Sequence, residues 1–184
     1  MDLFFKNLDY QLECGVHGII LGGTLGESSV LSHEEKITLT GETVKYINDR
    51  VPVILNIAEG ATKDALFWAK KAEELGASGL MILPPMRYAA DAREVVTYFK
   101  TVANSTKLPM MIYNNPVDYK TLVTIDMFAE LAECENIQAI KESTRDISNV
   151  TRMINRFGDR FKLLCGVDTL AMEELLMGAV GWVA

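Results

Sequence analysis

Short apolar runs punctuate the chain at Ile19 to Gly22, Val53 to Ile57, Leu80 to Leu83, Met110 to Tyr113, Ile137 to Lys141, Leu163 to Gly166 and Gly181 to Ala184. Each has the length of a strand buried on both faces. Between neighbouring runs lie stretches with helical spacing. Leu3 to Glu13 carries Phe4, Phe5, Leu8 and Leu12 on one face, and Ile147, Val150, Ile154 and Phe157 form a stripe closed by Gly158. Ser32 with Glu35 and Asp91 with Glu94 have capping-box spacing, while Thr62, Thr124, Asp146 and Asp168 are single N-cap candidates.

A Gly-x-x-Gly joint recurs at Gly15 to Gly18, Gly76 to Gly79 and Gly178 to Gly181, after a helical pattern and before an apolar run. The first glycine suits the left-handed residue that ends a helix, and the second opens the strand. Strict alternation of helix and strand predicts an α/β protein with a parallel sheet and right-handed crossovers. That unit winds either as an open sheet or as a closed barrel. No Gly-x-Gly-x-x-Gly or P-loop sits at a strand-to-helix turn, and polar residues gather at several strand ends, which favours a (β/α)8 TIM barrel. About seven strands are legible where a barrel needs eight. The expectation is therefore one incomplete barrel domain over residues 1–184, lacking the first strand and the C-terminal elements, with unpaired sheet edges that promote association.

Composition narrows the partners. The 184 residues are 49% hydrophobic, enough for one sizeable core, and no apolar run approaches a membrane span. A formal charge of −7, with acids and bases mixed, offers no basic stripe to a nucleic acid. Cys14, Cys134 and Cys165 are an odd number at wide spacing, which fits reduced thiols in a cytoplasm; Cys14 and Cys165 lie beside apolar runs as small core residues do. With only His17 and His33 present, no zinc spacing occurs. The reading is a soluble cytoplasmic protein without a metal.

The chemistry centres on Ile137-Gln138-Ala139-Ile140-Lys141-Glu142. Alternation puts Ala139 and Lys141 on one face and Ile140 on the other, so the strand ends in an amine among apolar neighbours, where a cation is poorly solvated and the neutral amine is a usable nucleophile. A strand-end lysine that merely reaches water is the plainer alternative. Gly22-Gly23-Thr24-Leu25-Gly26-Glu27 offers a hydroxyl and successive N–H groups to a carboxylate, or is simply a tight loop capped by Thr24. Met111-Ile112-Tyr113-Asn114-Asn115-Pro116 ends a strand in a phenol, suited to proton transfer or to plugging a barrel end.

Taken together, Gly-Thr-Leu-Gly-Glu, Tyr-Asn-Asn-Pro, Ile-Lys-Glu-Ser-Thr and Leu-Cys-Gly-Val-Asp, in this order, resemble the dihydrodipicolinate synthase and N-acetylneuraminate lyase family over almost the whole chain. The resemblance implies a TIM barrel that handles pyruvate or related 2-oxo acids through a lysine imine, needs no metal or organic cofactor, and assembles as a homo-oligomer, commonly a tetramer. It assigns Lys141 to the imine, Tyr113 to proton shuttling, Thr24 to the carboxylate pocket and relay with Gly23 and Leu25 around it, and Val183 to the backbone carbonyl lining the pocket. Two departures stand out. Leu25 replaces a second hydroxyl, and Asp118 stands where synthases carry an arginine for a second substrate. The family's second tyrosine is not clearly supplied, since Arg87 falls near its place and Tyr88 is one step off. Leu-Pro-Pro-Met and the closing Leu-Met-Gly-Ala-Val-Gly-Trp-Val-Ala make the branch that deaminates 1-pyrroline-4-hydroxy-2-carboxylate the nearest in look. A pyruvate-releasing aldolase, a dihydrodipicolinate synthase-like enzyme and a non-catalytic barrel that binds a small acid are the alternatives.

Overall fold

The computed structural model describes residues 1–85 and 89–184. Seven parallel strands form one sheet in sequence order: β1 (Ile19–Leu21), β2 (Val53–Ile57), β3 (Gly79–Ile82), β4 (Met110–Asn114), β5 (Ile137–Glu142), β6 (Lys162–Cys165) and β7 (Gly181–Trp182). Each pairs only with its sequence neighbours among the described residues, so β1 and β7 are the two edges. The predicted strands are all present, most with bounds shifted by one residue. The last is shorter than expected, ending at Trp182 rather than Ala184.

Helices α1 (Asp2–Glu13), α2 (His33–Ile47), α3 (Thr62–Glu74), α4 (Ala92–Ala103), α5 (Pro116–Tyr119), α6 (Ile125–Leu131), α7 (Ser148–Phe157) and α8 (Ala171–Leu176) alternate with the strands, except that α5 and α6 both lie between β4 and β5. Sequential parallel pairing with intervening helices is the winding of a TIM barrel, here seen as seven consecutive strand units.

Local chemistry explains the helix ends. Both capping boxes form, Ser32 with Glu35 and Asp91 with Glu94, and Thr124 caps α6 by accepting from the Met127 N–H. Thr62 does not cap α3. Ala61 holds that position without a side-chain bond, because Thr62 already lies inside the first turn. Asp146 accepts from Ser148 N–H, one residue ahead of Ile147, the N-cap of α7. Asp168 opens a short 3-10 turn and accepts from the Trp182 indole at 3.0 Å instead of capping α8.

All three Gly-x-x-Gly joints close their helices alike. Gly15, Gly76 and Gly178 have positive φ, and the residue after each donates five residues back, Val16 to Gln11, Ala77 to Ala72 and Ala179 to Glu174. This pairing satisfies the last helical carbonyls before the chain turns into the next strand.

The core lies between the outer face of the sheet and the helices. Leu21, Leu55, Ile57, Leu80, Ile82, Ile112 and Ile140 point to it, against Trp68 of α3, Phe99 of α4 and Phe128 of α6. Burying each such large side chain contributes roughly 2–3 kcal/mol. On α7, Val150 and Met153 are the buried apolar residues, whereas Ile154 and Phe157, like Ile147 at the N-cap, are only half-buried. Cys165 is buried as expected; Cys14 is exposed, because it follows the last turn of α1 on its open side. Among the described residues no helix is long and apolar enough to cross a membrane.

Candidate active site

The inner face of the sheet carries the alternate residues. Ile20, Asn56, Met81, Tyr113 and Lys141 come from five different strands and line one cavity of about 350 Å³ at the strands' C-terminal ends. In a barrel these ends converge on one mouth.

Lys141 is 8% exposed and lies beside Tyr113 across the β4–β5 ladder. Its Nζ sits 4.2 Å from the centroid of the Tyr113 ring. No carboxylate pairs with it among the described residues, and the π face of Tyr113 lies within cation–π range of the amine. The alternation that places it on the inner face survives a bulge: Met110 pairs with Ile137 but Met111 with Ala139, leaving Gln138 as an extra residue in β5. The bulge lets Ile137 and Ile140, three positions apart, both enter the helix-side core.

The stem of Lys141 runs against the backbone of Gly166. A Cβ there would come within 2.6 Å of Lys141 Cε and would also collide with Ser143 Oγ. Ser143 is 1% exposed, lines the cavity and has no partner for its hydroxyl among the described residues. Asn56 is similar. Its amide donates to Gly22 O at 2.7 Å, while its buried Oδ1 is unpartnered. Sequence reasoning missed both, and their buried polar atoms at the wall of a cavity are the signal.

The Tyr-Asn-Asn-Pro motif is explained residue by residue. Asn114, fully buried, exchanges two hydrogen bonds with the backbone of Val123 and so ties down the following loop. Asn115 caps α5 by accepting from Asp118 N–H, and its amide donates to Tyr113 Oη at 3.2 Å and to Asp118 Oδ2 at 2.7 Å. Pro116 occupies the first helical turn.

Thr24 stands exposed at the cavity mouth, in the loop after β1. The N–H groups of Glu27 and Ser28 bond back to Thr24 O and Gly23 O, while those of Thr24 and Leu25 meet no acceptor among the described residues and remain available to an anion. Thr24 Oγ1 bonds to Tyr119 Oη at 2.6 Å. Gly23 and Leu25 also line the cavity, although the Leu25 side chain is 93% exposed and turned to solvent. Val183 also lines the cavity, just beyond β7, its N–H donating to Cys165 O. The structure thus brings Thr24, Tyr113, Lys141, Gly23, Leu25 and Val183 around one cavity. Met86, Arg87 and Tyr88, including the place of the expected second tyrosine, lie outside the described residues.

Asp118 and Arg145 complete the rim, with Arg145 Nη2 4.0 Å from Asp118 Oδ1. Arg145 is held at φ 65°, a left-handed conformation unusual for a non-glycine residue. Among the described residues no three His, Cys, Asp or Glu cluster as metal ligands. Directly behind Lys141, on the helix side of β5, Glu142 is 1% exposed and accepts from Thr144 N–H and the Asn149 amide. Burial pushes its carboxyl above the usual range, against the lowering effect of those hydrogen bonds.

The geometry has clear precedents. The family profile described as the Dihydrodipicolinate synthetase family matches residues 1–184. The chain is 37% identical over 177 residues to a 4-hydroxy-tetrahydrodipicolinate synthase of Bacillus velezensis, covering 96% of this chain and 61% of that protein. It superposes at a TM-score of 0.96 and 30% identity on the 4-hydroxy-tetrahydrodipicolinate synthase of Methylacidiphilum fumariolicum SolV, covering 98% of this chain and 61% of the other. A chloride-inhibited dihydrodipicolinate synthase from Acinetobacter baumannii, solved in complex with pyruvate, matches at 29% identity and a TM-score of 0.94, over 98% of this chain and 62% of that one. The chain thus spans about three fifths of the length of these relatives, 61% of the first. With its motifs, its barrel winding and its full-length profile match in agreement, the chain belongs to the dihydrodipicolinate synthetase family.

Proposed function

We propose that the full-length protein is a lysine-imine lyase acting on a 2-oxo acid or cyclic imino acid, with Lys141 as its nucleophile. The carrying observation is a buried amine at a strand end, 4.2 Å from the centroid of the Tyr113 ring, in a cavity whose mouth holds Thr24. The neutral amine adds to C2 and the former C2 heteroatom leaves with a proton. The resulting iminium draws electrons from C3, so a proton or a carbon substituent there departs easily. Tyr113 moves protons between nitrogen, the leaving atom and C3. Thr24, with the free N–H groups of its loop around Gly23 and Leu25, holds the carboxylate and so fixes C2 within reach of the amine; Val183 lines the same cavity.

The substrate that best fits is 1-pyrroline-4-hydroxy-2-carboxylate. Addition of Lys141 opens the ring at C2 and leaves an amine on C5, loss of the C3 proton expels the 4-hydroxyl as water, and a proton shift from C5 to C3 then gives an enamine at C4–C5 that becomes the C5 imine; hydrolysis at C2 and C5 releases 2,5-dioxopentanoate and ammonia, with one water consumed overall. Supporting this choice, Asp118 puts a carboxylate on the rim where a second acidic substrate would need a cation, and Leu25 removes a hydroxyl from the first motif. One observation favours a second reading, condensation of a pyruvate adduct with a further carboxylate-bearing substrate: Arg145 brings a guanidinium to that same rim. A homo-oligomeric, cytoplasmic enzyme is part of the proposal.

Borohydride reduction in the presence of pyruvate should add a stable mass at Lys141 of the full-length protein, and none there in Lys141→Ala. A substrate panel then separates the chemistries. Ammonia release from the pyrroline supports the deaminase, and turnover only of a sugar acid or only of an aldehyde with pyruvate overturns it. A protein that binds pyruvate without any adduct is a binding barrel.

A further inference from the structure

Tyr119 is not among the residues that the sequence brings forward, yet it is the hydrogen-bonding partner of Thr24 across 95 residues of chain, at 2.6 Å. It belongs to α5, the single turn fixed at one end by the Asn115 cap and at the other by the left-handed Lys120, whose N–H returns to Pro116 O. Its ring packs edge-on against Tyr113, with centroids 5.6 Å apart. Backbone and side chain are therefore both held, and the phenol has one place to go.

A threonine hydroxyl has one proton and two lone pairs. Left alone beside water it donates in any direction. Either oxygen can donate in this contact; with the phenol, the more acidic partner, as the donor, the Thr24 O–H is left free to rotate toward the cavity. Burial, chiefly, raises the pKa of Tyr119 above its ordinary value, so it keeps its proton throughout the physiological range.

We propose that Tyr119 is a positioning residue that orients the Thr24 hydroxyl as a dedicated donor to the carboxylate of the bound 2-oxo acid. The proposal rests on the lysine-imine reading and names the group that sets its preference for acids over neutral ketones. The contact joins the loop after β1 to the loop after β4, so it also sets the spacing between Thr24 and Tyr113.

The test compares pyruvate with pyruvamide, which keeps the ketone but lacks the anion. In the full-length protein, Tyr119→Phe retains the ring and its packing on Tyr113 and removes only the hydroxyl. Half-saturation for borohydride trapping at Lys141 should rise about tenfold for pyruvate, the order expected for one charge-assisted hydrogen bond, and change less than twofold for pyruvamide. Thr24→Val should give the same pattern, and the double variant should be no worse than either single one. Equal losses for both ligands, an unchanged pyruvate response, or additive losses overturn the assignment. Calorimetric titration of the same two ligands into Lys141→Ala, with and without Tyr119→Phe, removes the imine from the comparison. A selective loss of pyruvate binding there supports Tyr119 even where trapping fails, and an absent loss rejects it even where trapping succeeds.

Discussion

Gly166 and Lys141 are fitted to each other: the backbone of one is the surface along which the aliphatic stem of the other lies, with room for a hydrogen atom and not for a methyl group. Gly166 N–H donates to Glu142 O at 2.7 Å, so the loop after β6 is pinned to the residue that follows the lysine. The position of the amine is set from a neighbouring strand as well as by its own.

It follows that Gly166→Ala should act on chemistry more than on folding. Its φ is not in the left-handed region, so the backbone itself tolerates a side chain. The methyl group drives out Lys141 or Ser143, at about 1–3 kcal/mol of overpacking. Trapping of the pyruvate adduct should slow at least tenfold while the far-ultraviolet dichroism stays that of the parent. An unaltered trapping rate would show that the stem has another route.

Arg145 permits the opposite kind of test. Glycine at its φ of 65° relieves roughly 1 kcal/mol of backbone strain. Arg145→Gly should therefore raise the midpoint of urea unfolding, while the 4.0 Å pairing with Asp118, half exposed on both sides, contributes little to stability. If the guanidinium serves substrate at the rim, the more stable variant is the poorer enzyme, and parallel denaturation and turnover measurements reveal the trade.

Asn114 is the tether of the loop that carries Tyr119. Asn114→Leu leaves the Val123 N–H and C=O without partners in a fully buried setting, a loss of about 2–4 kcal/mol. Chemical denaturation measures it. The pyruvate preference should weaken with it, since α5 loses its downstream anchor.

The buried carboxyl of Glu174 on α8 yields a pH signature. Both its oxygens are sealed and unpartnered among the described residues, and burial raises its pKa above the ordinary carboxylate value. The folded state therefore holds this proton more tightly than the unfolded one. Its favourable share is complete at pH below the unfolded value, and is lost as pH climbs from there through the folded value. Glu174→Gln should be more stable than the parent at pH 8, with the gap narrowing toward pH 4, in urea titrations at the two pH values. Glu142, shifted the same way for the same reason, keeps part of the slope in the variant.

What the sequence made legible was local. The phase of Lys141 follows from alternation, the Schellman ends from glycine spacing, and the two capping boxes from a serine or aspartate three residues before a glutamate. Tyr119 was invisible, because its value arises from a one-turn helix that carries it to Thr24. Asn56 and Ser143 look like ordinary polar residues until the sheet curls and seals them against the cavity. Thr62 misled for a different reason: a good capping residue one position too late is simply a helical residue.

The sheet order β1 to β7 is also a statement about assembly. Among the described residues every strand finds its partner one crossover away, so each of these six pairings closes only a short stretch of chain at a modest entropic cost. A ribosome releasing this chain N-terminus first presents each of these β–α units to an edge already waiting for it, so this run of the sheet winds up in the order in which it is made.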